Sequence, residues 1–264
     1  SGFNFLSYSK KVKVVDFDSF DFDKYDLFLI VDTANDGQLT GKRKGNIPLI
    51  PKVIIDHHKT NSLSGKVALV DGKASATAEI IYRLFQDWNM KIDKETATAL
   101  FAGVATDTVF FKYSEEPKKT FKIAQELLGA GADIKRIVHE VYDTLELNFV
   151  KTLSAFLNGM QFERQSRFVW SALSYETYKK FNFPKGAREE AAHAFFRSIK
   201  GADFGVALLE EEPGRVSVSF RSKEIDVSKI AQRFGGGGHQ NAAGATVYGE
   251  YKDVISKVIN SLKK

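Results

Sequence analysis

The residues best equipped for chemistry meet at Asp56-His57-His58, where the apolar run Val53-Ile54-Ile55 stops and Lys59-Thr60 follows. Two of the chain's five histidines stand side by side there. Neighbours on a strand point to opposite faces, so a strand interior would bury one imidazole and expose the other. At a strand end, where the chain opens into a loop, both can turn into one cleft, and open α/β sheets bind ligands at such ends. The plainer alternative is a polar strand end with solvated histidines. Two further acids bear on the choice. Asp32 ends the run Leu27-Phe28-Leu29-Ile30-Val31, so successive strands deliver acids to the same end of a sheet. Asp107 stands between Thr106 and Thr108 after an Ala-rich helical stretch, and alone it reads as a cap or turn residue.

Asp32, Asp56, His57, His58 and Asp107 combine carboxylates with imidazoles in a chain that has no cysteine. That set suits Mn²⁺, Mg²⁺ or Fe²⁺ better than structural zinc. A carboxylate can bridge two such ions roughly 3.5–4 Å apart, and the pair can clamp a phosphoryl group, activate a water and neutralise a leaving oxygen. Nothing in the chain has the pattern of a serine or cysteine triad. A second constellation lies far downstream, in Gly235-Gly236-Gly237-Gly238-His239 followed by Ala242-Ala243-Gly244. A plain linker is one reading, because consecutive glycines cost backbone entropy on folding. The amphipathic helix before the run and the His-Gln-Asn after it favour a phosphate nest, in which bare backbone N–H groups approach an anion and His239 adds a donor. Ser219-Phe220-Arg221-Ser222 ends a strand in a guanidinium suited to bidentate phosphate contact.

The elements that must hold these groups follow from periodicity. Residues 26–33 are apolar without alternation, which predicts a strand covered on both faces in a parallel sheet. Strands are also expected at 11–15, before Asp56 and at 67–71. Helices are expected at 74–88, where Ile80, Ile81, Leu84, Phe85 and Trp88 share a face, and at 94–104, 117–128 and 133–142. A longer helix is read over 145–160. Beyond it the texture is mixed, with strands at 167–173, 204–209 and 216–220, a hairpin-like connection at Glu210 to Gly214, and helices at 175–181, 188–199, 227–234 and 251–262. The predicted fold is therefore α/β: a parallel sheet with helices on both faces over residues 1–145, a helical linker over 146–160, and a smaller mixed α/β domain over 161–264, with a cleft between the two domains.

At 264 residues the chain has room for one large domain or two ordinary ones. A net charge of +5 tilts partners toward anions such as nucleotides or nucleic acid. The tightest basic cluster, Lys42-Arg43-Lys44, reads as a solvated loop. No apolar run approaches the roughly 18 residues of a membrane span. Ser1-Gly2-Phe3 has no basic leader and no Met, and Ser1-Gly2 reads as a processing scar. The lack of cysteine fits a cytoplasmic setting. Expected partners are nucleotides or short single-stranded RNA or DNA and no membrane, with a homodimer left open.

Taken in order, these motifs resemble the DHH phosphoesterase superfamily, of the nano-RNase and pAp-phosphatase type with a C-terminal DHH-associated domain. The resemblance spans nearly the whole chain. It is carried by Val31-Asp32-Thr33, Asp56-His57-His58-Lys59-Thr60-Asn61, Ala74-Ser75-Ala76-Thr77-Ala78-Glu79, Thr106-Asp107-Thr108, Phe220-Arg221-Ser222 and the Gly235–His239 run. It implies that Asp32 is shared by two Mn²⁺ ions, with Mg²⁺ as the alternative, and that His57 and Asp107 complete one site. It also implies that His58 meets the scissile phosphate while Asp56 orients the histidines. Arg221, Ser222, Gly236, Gly237, Gly238 and His239 would hold the substrate's terminal phosphate, and the 145–160 connection would act as a hinge. The implied activity is hydrolysis of nanoRNA, pApA-type dinucleotides or pAp. The family's first motif, of the His-x-x-x-Asp-x-Asp type, has no match before Asp32. The expectation is therefore weak catalysis by these 264 residues, since one metal site would keep no ligand but Asp32. The alternatives are a non-catalytic nucleotide-binding scaffold and a pyrophosphatase or polyphosphatase.

Overall fold

A computed structural model describes residues 3–40 and 47–263 of the chain. It divides into two compact units, Ser1–Thr144 and Leu145–Lys264. The cluster Lys42-Arg43-Lys44 lies outside the described residues.

The first unit is built on a parallel sheet of three strands in the order β1 (Phe28–Val31), β2 (Lys52–Asp56), β3 (Val67–Val70). Register pairs Ile30 with Ile54, and Ile54 with Ala68. A short helix α1 (Asp36–Thr40) follows β1, and four longer helices follow the sheet: α2 (Thr77–Asp87), α3 (Lys94–Asp107), α4 (Pro117–Gly129) and α5 (Ile134–Tyr142). Asp93 caps α3 by accepting from the Thr96 amide, and Asp133 caps α5 by accepting from Arg136. Ala97, Ala102 and Ala105 let α3 lie close against its neighbours. Phe101, Leu127 and Ile137 fill the space between them, each stabilising the unit by about 2 kcal/mol through burial.

The sheet departs from expectation in its cover. Ile30 and Ile54 are buried on one face, but Leu29, Val31, Val67 and Leu69 on the other are 52, 44, 55 and 39% exposed. An unbroken apolar run encodes cover on both faces, and the described residues supply it on one. Residues 11–15 form no strand either. They follow a 3₁₀ turn, Ser9–Lys11, and Val12 and Val14 are exposed, so the alternation finds no neighbouring strand to pair with.

The second unit opens with α6 (Leu147–Asn158). Phe156 of α6 is fully buried against Val169 and Phe196, with Leu153 and Leu157 packed beside it. The helix expected as a linker over 146–160 thus packs into this unit's core. Its apolar residues recur at helical spacing and must be covered. A six-stranded sheet follows: β4 (Gln161–Glu163), β5 (Phe168–Leu173), β6 (Phe204–Glu212), β7 (Arg215–Ser222), β8 (Gly237–His239) and β9 (Ala242–Tyr248), in spatial order β4-β5-β6-β7-β9-β8. β5 and β6 are parallel and the other pairs antiparallel. The β6–β7 connection is a tight turn in which Gly214 takes φ +77°.

Between β5 and β6 come α7 (Tyr175–Lys180) and α8 (Ala187–Glu190), which continues through a π-helical turn, Ala191–Phe195, and a 3₁₀ turn, Phe196–Ser198. The helices α9 (Val227–Gln232) and α10 (Tyr251–Leu262) cover the other face, with Val227, Ala231, Val254 and Val258 against Val216, Val218 and Phe220. Strand alternation on β7 therefore sends valine and phenylalanine to that core and Ser217, Ser219 and Arg221 to the opposite face.

Candidate functional site

In the first unit the site is made where β1 and β2 end. The Asp32 amide still joins the ladder, donating to the Ile55 carbonyl at 3.0 Å. The residue itself turns left-handed at φ +53°, a conformation Asp tolerates better than most side chains. Thr77, in the first turn of α2, donates to Asp32 Oδ1 at 2.8 Å and fixes the carboxylate. At the end of β2, Asp56 is fully buried. Its Oδ1 lies 2.6 Å from His58 Nδ1, and its Oδ2 accepts from Asn61 Nδ2 at 2.6 Å. Burial alone would raise the Asp56 pKa, but the hydrogen bonds from Asn61 and His58, with the His58 charge, outweigh it and hold the carboxyl below its usual value.

His57 is oriented differently. Its Nδ1 lies 3.3 Å from the Ala74 carbonyl, an acceptor, and this contact sets the ring so that Nε2 points to the acids. Nε2 lies 3.2 Å from Asp107 Oδ2 and 3.6 Å from Asp32 Oδ1. Asp56 thus orients His58, while a backbone carbonyl orients His57, where the expectation had Asp56 orient both. The two imidazoles meet edge to face at 4.6 Å. Asp107 ends α3 rather than capping the start of a helix. Burial pushes its carboxyl up, the charge of His57 pulls it down, and Asp32 pushes it up again.

Asp32, His57 and His58 each offer a ligand atom, and these lie within 4.8 Å of one another. A hard carboxylate oxygen, two imidazoles, and Asp107 3.2 Å from the histidine that a backbone carbonyl holds fit a divalent cation. Among the described residues this is the one group of three or more such side chains. Sequence reasoning gives Thr77, Asn61 and the Ala74 carbonyl no role. The five-residue spacing from Asp56 to Asn61 is a readable signal, whereas a carbonyl oxygen has none.

Directly after Asp107 the backbone is strained. Val109, Phe110 and Phe111 take φ of +49, +53 and +66° in succession. Each left-handed residue costs about 1–2 kcal/mol, and a β-branched side chain suffers most. Val109→Gly is expected to raise stability by about 1 kcal/mol, read as a higher midpoint of thermal or urea unfolding. An unchanged or lower midpoint would show that the contacts of the half-buried Val109 side chain outweigh the strain.

The second unit carries a cavity of about 680 Å³, lined by Arg221, Gly235, Gly236 and Gly237 together with Arg188, Ser219 and others. Burial lowers the Arg221 pKa from its very high normal value, with Glu189 opposing and Arg188 and Arg197 adding to the effect. The guanidinium stays charged, held by donation from Nη1 to the Phe220 and Ala243 carbonyls at 3.0 and 3.3 Å. Arg188 bonds Glu189 and, at 3.2 Å, Glu211, and its buried Nε has no partner among the described residues.

Ser222 is elsewhere. Its position on β7 is one past Arg221, so it faces the opposite way. It is fully buried, and its Oγ accepts from the Ile225 amide at 2.7 Å and the Glu224 amide at 3.1 Å. It caps the turn after β7 and does not line the cavity. Gly238 is also absent from the lining and pairs with Ala243 of β9. The His239 side chain lies outside what is described. Arg188, Glu189, Ser217, Thr246 and Tyr248 line the cavity without having been singled out in the sequence. The alternation Arg215-Val216-Ser217-Val218-Ser219-Phe220-Arg221 carries that information, because every second residue is small and hydroxylic or cationic.

Residues 3–104 match the N-terminal domain of the DHH family, and residues 170–264 match the DHHA1 domain. A probable bifunctional oligoribonuclease and PAP phosphatase NrnA of Streptococcus mutans is 30% identical over 241 residues, covering 90% of this chain and 76% of that protein. The bifunctional oligoribonuclease and PAP phosphatase NrnA of Bacillus subtilis is 30% identical over 229 residues, covering 84% and 70% respectively. The crystal structure of an exopolyphosphatase-related protein from Bacteroides fragilis superposes with a TM-score of 0.85 at 24% identity, over 99% of this chain and 79% of that one. That likeness concerns the fold. With Asp56-His57-His58 at the end of its second strand and a matching domain at each end, the chain belongs to the DHH family of phosphoesterases, in the form that carries a C-terminal DHHA1 domain.

Proposed function

We propose that the chain is a metal-dependent phosphoesterase acting on very short oligonucleotides, of the nanoRNA and pApA kind, and on pAp. The observation that carries this is the convergence of Asp32, His57 and His58 ligand atoms within 4.8 Å, with Asp107 3.2 Å from His57. Relatives named as oligoribonucleases and PAP phosphatases support the substrate class. Asp32, His57 and Asp107 are the residues that would hold Mn²⁺, or Mg²⁺ in its place. A bound divalent ion supplies Lewis-acid activation of water and neutralises charge on the phosphoryl oxygens.

The remaining work belongs to the chain. Thr77 holds the Asp32 carboxylate in place, and the contact with the Ala74 carbonyl turns His57 so that Nε2 faces the two acids. Asp56, itself held by Asn61, fixes the His58 ring through Nδ1, which leaves Nε2 to meet a phosphate oxygen of the substrate. In the second unit, Arg221 and the amides of the glycine run grip the substrate's terminal phosphate. A cytoplasmic setting fits substrates of this kind. Among the described residues, no helix is long and apolar enough to cross a membrane.

The test is hydrolysis of pAp, pApA and a short RNA by the chain with Mn²⁺ or Mg²⁺ supplied, beside His57→Ala. Metal-dependent release of mononucleotide or phosphate that His57→Ala loses is the expected result. Full activity in His57→Ala would overturn the assignment of the centre. Nucleotide binding without hydrolysis in the parent chain would favour the binding scaffold instead.

A further inference from the structure

The cavity of the second unit is longer than the phosphate grip requires. Register places Arg221 opposite Ala242, Ser219 opposite Gly244, Ser217 opposite Thr246 and Arg215 opposite Tyr248. These residues share one face of the β7–β9 ribbon, and the cavity runs along that face from Arg221 to Tyr248. Six residues of strand separate the two ends, roughly 20 Å at 3.4 Å per residue. A single nucleotide is too short to reach from one end to the other. Between the ends the floor is small and hydroxylic, Ser219, Gly244, Ser217 and Thr246, which leaves room for a chain and offers hydrogen bonds to sugar hydroxyls and phosphate oxygens.

The two ends differ in chemistry. The Arg221 end is cationic and glycine-rich. At the other end the guanidinium of Arg215 is matched by Glu211 at 2.7 Å and Glu212 at 3.6 Å, so Arg215 is already engaged by carboxylates rather than open to a phosphate. It presents the ring of Tyr248 instead, 75% exposed although it borders the cavity. Exposed aromatic rings beside a groove that follows a nucleic-acid backbone are stacking platforms for bases, tolerant of sequence because every base has a π-face.

We infer that this cavity is an extended oligonucleotide track, in which Tyr248 stacks a base beyond the first nucleotide while Arg221 and the glycine run hold the terminal phosphate. The inference rests on the proposed nucleotidic substrate and adds a preference for oligonucleotides over mononucleotides. Tyr248 would set that preference without touching the reacting atoms.

The test is calorimetric binding of pA and pApApA to the whole chain in EDTA, where metal-dependent hydrolysis is suppressed. Parent, Tyr248→Ala and Tyr248→Phe are compared, and the exposure of residue 248 makes misfolding a minor concern. Tyr248→Ala is expected to weaken pApApA on the order of tenfold, to leave pA unchanged, and to be rescued by Tyr248→Phe. A trinucleotide lacking the stacked base should bind parent and Tyr248→Ala alike. Equal losses for pA and pApApA, or no loss for either, would overturn the track while leaving the phosphate grip intact. A parent chain that binds neither ligand would overturn the nucleotide reading of the second unit, and the track with it.

Discussion

Asp32→Asn is expected to lower phosphoesterase activity on the order of a thousandfold, because Lewis-acid stabilisation is worth several kcal/mol and each 1.36 kcal/mol is tenfold. The fold should survive. Asparagine accepts the left-handed backbone that Asp32 uses at φ +53°, and its side-chain oxygen can still accept from Thr77. Removing the charge also relieves Asp107, whose pKa burial raises and Asp32 raises further. The metal-free variant is therefore expected to melt no lower than the parent. The distinguishing readout is the response to cation. A ligand that binds the folded state alone stabilises it by mass action, so Mn²⁺ should raise the parent's melting temperature and leave that of Asp32→Asn nearly unmoved. A variant that still responds to Mn²⁺ like the parent would place the ion elsewhere. A variant that loses stability without metal would make Asp32 a structural turn residue rather than a ligand.

The parts of this centre that were legible in the sequence are those that depend on where strands stop. Apolar runs that end in Asp32 and Asp56 announce themselves, and so do helices whose apolar residues recur at helical spacing, such as Thr77–Asp87 and Pro117–Gly129. The separate supports of the two histidines were not legible. Asp56 and His58 are two residues apart and visibly paired, but His57 leans on a main-chain carbonyl seventeen positions away. A backbone carbonyl is the same in every residue, so no composition or spacing can mark it.

The second unit shows a related limit. Gly237–His239 and Ala242–Tyr248 are strands, yet the first is nearly all glycine and the second is rich in small residues. Both have weak strand propensity. What holds Ala242–Tyr248 in the sheet is an antiparallel register with Arg215–Ser222 over seven paired positions, a tertiary cause that overrides local preference. Ser222 was misplaced for a simpler reason. The resemblance groups it with Arg221, but alternation along a strand separates adjacent residues onto opposite faces. The uncovered side of the first unit's sheet is the reverse case. Leu29, Val31, Val67 and Leu69 encode a buried face that the described residues do not bury.

Gly236→Ala is expected to destabilise the second unit by about 2–3 kcal/mol and to abolish phosphate binding, whereas Gly237→Ala should fold like the parent. Four identical residues in the sequence are four different environments in the fold. A Cβ on Gly236 would stand 2.1 Å from the Gly244 carbonyl oxygen and 2.7 Å from the Ala245 Cα. Both are backbone atoms of β9, so relief requires the strand or the loop to move. A Cβ on Gly237 meets nothing within 4 Å, and no left-handed backbone is needed there. The run therefore serves two ends that sequence alone cannot separate: close approach of chain to chain at Gly236, and open backbone facing the cavity at Gly237. If Gly237→Ala keeps the parent's unfolding midpoint but loses affinity for pA, the added methyl has intruded where the phosphate approaches the amides, and the nest is functional. If it keeps both, the glycines are required by packing against β9 alone, and Arg221 carries the phosphate without them. If Gly236→Ala is as stable as the parent, the close approach of the loop to β9 is not what the run is for.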